Sequence, residues 1–88
     1  MNFLVICRPV PDADESLFGR LLPEELAAMR SLKAKGALVQ AWSPGRPGAV
    51  LILEAPDLAG ATSVTAGLPL AAAGVIATEI IPLHPVDL

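Results

Sequence analysis

The chain has 88 residues and a net charge of −3, from 6 basic and 9 acidic side chains; apolar residues make up 53% of it and aromatic ones only 3%. Disorder needs low hydrophobicity and high charge, so it is excluded. So is a basic surface that neutralises nucleic-acid phosphates, and, with Cys7 alone, a disulfide scaffold.

The length fits one domain, residues 1–88. A domain of this size buries about two-thirds of its unfolded surface, yet more than half of its residues are apolar. Some of that apolar surface must be covered by something other than the monomer's own core. A membrane does not absorb it. The longest apolar stretch, residues 64–78, is interrupted by Gly67, Pro69 and Gly74, and a spanning helix needs about 20 apolar residues. The N-terminus has no basic region before its short apolar run, so no export signal is expected. One cysteine and no signal predict a reducing cytoplasm.

Residues 3–7 form a continuous apolar run with β-branched members, predicting a first buried strand stopped by Pro9 and Pro11. Residues 9–21 read as polar and turn-like. A helix is predicted from Pro23, with Glu24 and Glu25 in its first turn, where acids complement the helix dipole. Leu22, Leu26, Met29 and Leu32 give it an apolar stripe, and Gly36 ends it. A second strand follows over residues 37–42, then a Pro/Gly loop over 43–48 and a third strand over 49–55. Asp57 is placed to cap a second helix over residues 58–66, broken by Gly67, Leu68 and Pro69. Residues 75–83 predict a fourth strand. The order β-α-β-β-α-β is the signature of an α+β, ferredoxin-like fold with a four-stranded antiparallel sheet.

In such a fold both helices cover one sheet face, and the other is usually polar. Here neither face is. Phe3, Val5 and Cys7 oppose Leu4, Ile6 and Arg8. Leu51 and Leu53 oppose Val50, Ile52 and Glu54. Ile76, Thr78 and Ile80 oppose Val75, Ala77, Glu79 and Ile81. An exposed apolar sheet face predicts an interaction surface, most simply a second copy packed sheet to sheet about a twofold axis. The charged face carries Arg8, Glu54 and Glu79 among Leu4, Ile6, Val50, Ile52 and Val75. An apolar cavity with a few convergent polar groups is the usual small-molecule site; each charge alone better suits a strand end in solvent, and only the set together points to a site. The loop length does not fix the register of strands two and three, which leaves the face of Gln40 and Trp42 open. Cys7 fits a small packed hydrophobe. His84 suits either a solvated tail or a site. A single histidine with scattered acids is no metal-ligand spacing, and no cofactor motif is present.

Several features together resemble the muconolactone Δ-isomerase family of the dimeric α+β barrel group. These are the Pro9-Val10 step after the first strand, Gly36 at the helix end, Trp42 closing the second strand, Glu54-Ala55-Pro56, Leu68-Pro69-Leu70 and His84-Pro85. The resemblance implies a homodimer or ring of dimers, with a pocket between two sheets for a small molecule. It also implies a proton shift in an unsaturated lactone that carries a carboxylate. Such chemistry needs a base, donors for the developing oxyanion, a cation for the carboxylate and exclusion of water. On chemical need, Glu54 is the candidate base and His84 a proton-transfer group. Arg8, Trp42 and Glu79 are candidates for substrate binding. The chain departs from the family in lacking basic residues around Trp42, and no Arg or Lys follows Arg46. A non-catalytic binding or structural oligomer, or a cofactor-free monooxygenase of a sister family, is compatible with the same scaffold.

Overall fold

The computed structural model describes all 88 residues, Met1–Leu88. The elements are β1 (Asn2–Pro9), α1 (Glu15–Ala34), β2 (Leu38–Trp42), β3 (Ala49–Glu54), α2 (Leu58–Ala66), α3 (Pro69–Ala72) and β4 (Ile76–Leu83). The strands form one antiparallel sheet in the order β2-β3-β1-β4. This is the expected ferredoxin-like arrangement, with the short α3 added between α2 and β4. No helix is long and apolar enough to cross a membrane.

The alternation of β1 sets the layers. Phe3, Val5 and Cys7 point under the helices, with 8% exposure at most, and Leu51 and Leu53 of β3 join them. Leu4, Ile6 and Arg8 face the other way. Strand pairing places Leu4 between Ile52 and Ile81, and Ile6 between Val50 and Glu79. No helix covers this side, and its apolar side chains are half-buried. Both edges are guarded. β4 carries Pro82, which an edge strand tolerates. β2 is bulged between Leu38 and Gln40, and Lys33 Nζ donates to the carbonyl of Val39 at 3.3 Å.

The structure corrects the start of the first helix. α1 begins at Glu15, where Asp14 caps it by accepting from the Leu17 N–H at 3.1 Å. Pro23 therefore lies inside the helix, where it removes a hydrogen bond at a cost of about 3 kcal/mol. Packing outweighs that cost. Leu17, Phe18 and Leu21, all before the proline, lie against the core with Ala28, Met29 and Leu32. The buried stripe is thus rotated from the expected one, leaving Leu22 and Leu26 substantially exposed. Val75 is likewise corrected. It precedes β4 and is buried beneath the helices, where its carbonyl accepts from the Val10 N–H at 3.1 Å. The register question is settled: Gln40 pairs with Ile52, on the uncovered face, while Trp42 pairs with Val50 at the last position of β2, next to the Pro/Gly loop.

Candidate functional site

The sheet separates the residues singled out from the sequence into two ends. Arg8 Nη1 donates to Glu79 Oε1 at 3.0 Å, and both side chains are more than half exposed. Glu54 lies at the other end of β1, opposite Asn2, where its carboxylate accepts from the Met1 amino group at 2.9 Å. His84 borders the same shallow polar recess as Glu54 and Met1. Six residue-to-residue steps along the strand, about 20 Å, separate Asn2 from Arg8. Within one chain, Glu54 and His84 are brought together, as are Arg8 and Glu79, but the two pairs do not meet.

A different place in the molecule has the shape of a site. Between α1 and the β2–β3 end of the sheet lies a cavity of about 410 Å³ with predominantly apolar walls. Phe18 and Met29 of α1 form one wall, and Cys7, Ala49 and Ile76 contribute from the sheet side. Trp42, Leu22 and Leu26, each well exposed, also border it, as does the loop carrying Ser43 and Arg46. Among the sequence-derived candidates, only Trp42 borders this cavity. The cavity lies on the helix-covered side of the sheet, not on the uncovered face.

One acid lines it, Glu25, which is only 9% exposed. Its Oε1 accepts from the backbone N–H of Leu70, at the start of α3, at 3.0 Å. No buried side-chain polar atom in the molecule lacks a partner. Across the cavity, burial pushes the Cys7 thiol up to about 11, and the negative charge of Glu25 adds to the shift. Cys7 is therefore a neutral thiol at physiological pH, not a ready nucleophile. Arg46 is the cavity's only cationic side chain, and neither ion pair of the structure engages it. The loop that presents it turns where Gly48 adopts φ +123°; a Cβ there would stand 2.5 Å from the Cys7 carbonyl oxygen. No cluster of three or more His, Cys, Asp or Glu side chains is placed to hold a metal ion.

Glu25 escaped the sequence reading, although a signal was there. With Leu21, Ala28, Met29 and Leu32 as the core-facing stripe, position 25 falls on that stripe by helical spacing. An acid at an apolar position is the informative exception.

Comparison with known proteins agrees with this architecture. Muconolactone isomerase superposes over 100% of this chain and 95% of its own, with a TM-score of 0.77 and 22% identity. The 5-chloro-2-hydroxyhydroquinone dehydrochlorinase TftG of Burkholderia phenoliruptrix AC1100, solved in complex with 2,5-dihydroxybenzoquinone, matches 96% of this chain. It is covered over 94% of its own, with a TM-score of 0.72 and 25% identity. No protein of curated function matches the chain significantly. The model of the YCII-related domain matches residues 1–84, and the chain belongs to that family.

Proposed function

We propose that this protein is a small-molecule enzyme that moves a proton on an unsaturated, ring-sized carbonyl compound held in the cavity beneath α1. The observation that carries this reading is Glu25, a carboxylate almost withdrawn from water and lining an apolar cavity. A carboxylate so placed takes a proton from carbon next to a carbonyl group. The electron pair released forms a dienolate, and the protonated Glu25 returns the proton to a carbon further along the conjugated system. The net change is an isomerisation, with no oxidant or cofactor consumed. Arg46 at the loop supplies the cation for a carboxylate on the substrate, where it can bind as a fork. Apolar walls exclude water from the intermediate.

The structural relatives support this class of chemistry by their names. One isomerises a lactone, and the other removes hydrogen chloride from a hydroxylated ring. Trp42 keeps the substrate-binding role expected of it, now as a residue of the cavity wall. Arg8, Glu79, Glu54 and His84 take a different place. They flank the uncovered apolar face at its two ends, and we assign them to the rim of a twofold, sheet-to-sheet dimer formed through Leu4, Ile6, Val50, Ile52 and Ile81.

The test is proton exchange. Muconolactone and a panel of small enolisable lactones and ketones are incubated with the protein in deuterium oxide. Exchange is read by nuclear magnetic resonance, and conversion by ultraviolet absorbance. The expected result is exchange with wild type, none with Glu25→Gln, and a raised KM with Arg46→Ala. Equal exchange by wild type and Glu25→Gln, or no exchange on any compound, overturns the reading.

A further inference from the structure

The geometry points to the backbone amide of Leu70 as the positioning group for Glu25: it holds one carboxylate oxygen and leaves the other to meet the substrate. This rests on the reading of Glu25 as the proton-transfer residue.

The start of α3 is built to offer one donor. Leu68 at its N-cap provides no side-chain cap, and Pro69 at its first position has no N–H to give. The amide of Leu70 is the next one along, and it points to Glu25 Oε1, 45 residues away in sequence. The donor is firmly mounted. Leu68 and Leu70 are 3% and 4% exposed. The Leu68 N–H donates to Thr65, and the Val75 N–H donates to the Leu70 carbonyl, both at 3.2 Å. A glutamate has three side-chain torsions, and a fixed donor on one oxygen removes much of that freedom before substrate arrives. Oε2 has no protein partner, yet no buried side-chain oxygen in the molecule goes unpartnered. Oε2 is therefore not sealed inside the protein, and it belongs to a residue that lines the cavity. The same bond makes Glu25 the only side chain that caps α3, so the carboxylate and the helix hold each other in place.

The test removes the donor without touching a side chain. Replacing Leu70 by its α-hydroxy acid turns the amide into an ester, which has no N–H. An ester at Ala72 serves as control, because the Ala72 N–H donates at 2.8 Å to the Leu68 carbonyl within the same turn and does not engage Glu25. With muconolactone as substrate, the Leu70 ester is expected to lose about tenfold in kcat at unchanged KM, while the Ala72 ester retains the wild-type values. Equal losses in both esters, or an unchanged kcat in the Leu70 ester, overturn the inference. A second readout needs no turnover. The Leu70 amide proton is expected downfield in wild type and upfield of that position in Glu25→Gln. An unmoved amide proton overturns this inference alone. A moved proton in a wild-type chain without turnover overturns the proton-transfer reading, and this role of Leu70 with it.

Discussion

The Cys7 thiol makes stability depend on alkaline pH with a definite sign. In the unfolded chain it ionises near 9.0; in the fold it is held up to about 11, chiefly by burial and secondarily by the charge of Glu25. Between these values the unfolded chain gives up the proton first and so binds fewer protons than the fold. Stability then falls as pH rises. The contribution is complete below pH 9 and is lost as pH climbs through about 11. A displacement of that size is worth about 2 to 3 kcal/mol, and little of it is screened, because Cys7 is 8% exposed. The chain has no tyrosine, so no phenol ionises alongside the thiol. The assay is urea unfolding of wild type and Cys7→Ala at a series of pH values from neutral to 11, with thiolate absorbance recorded in parallel. The variant loses packing equally at every pH, so the gap between the two curves should narrow by about 2 kcal/mol toward pH 11. Parallel curves, or thiolate absorbance appearing near pH 9 in the folded protein, would show that the thiol is not buried beside Glu25. In a Glu25→Gln background most of the narrowing should remain, because the larger cause is burial.

Two substitutions probe the local backbone. Pro23→Ala restores a missing helical N–H in α1 and should stabilise the fold by about 1 to 3 kcal/mol, read as a higher urea midpoint. A lower midpoint would show that the proline ring contributes more to packing than it costs. Gly48→Ala places a Cβ 2.5 Å from the Cys7 carbonyl oxygen at φ +123° and should destabilise by at least about 2 kcal/mol. Tolerance of alanine there would refute the close approach of the loop to β1. The open sheet face is tested by light scattering, where a mass of 9.1 kDa at micromolar concentration would exclude the proposed dimer.

The strands were legible because each is short, apolar and bounded by Pro or Gly, and their alternation assigned Phe3, Val5 and Cys7 to one face correctly. What alternation does not carry is position along the sheet. It put Arg8 and Glu54 on one face without showing that β1 holds them at opposite ends. The helix error had a larger consequence. Proline is favoured in the first turn of a helix, so the sequence places the start at Pro23 and puts Leu17, Phe18 and Leu21 outside the helix. With the helix begun there, Glu25 is a first-turn acid that complements the helix dipole. With the helix begun at Glu15, the same residue is mid-helix on the buried stripe. One misplaced boundary thus hid the acid of the cavity, because burial follows from helical phase and the phase was counted from the wrong end.

The apolar excess of the composition now divides between two faces. Only 14 of the 88 residues are buried in the single chain, so most of the apolar side chains are half-covered or exposed. Part of them lines the cavity under α1, and part lies on the uncovered sheet face. β1 joins the two. Cys7 stands in the cavity, while its neighbours Ile6 and Arg8 stand on the open side. On the proposed reading, packing a second sheet against Ile6, Val50 and Ile52 fixes the backbone from which Cys7 and Ala49 line the cavity. Covering one face therefore steadies the cavity on the other, and this gives dimerisation a role in catalysis without any residue crossing between subunits. A charge at Ile6 should then weaken the dimer and turnover together, whereas Glu25→Gln should abolish turnover and leave the dimer intact. If the monomeric Ile6→Glu variant kept full activity, the two faces would be independent.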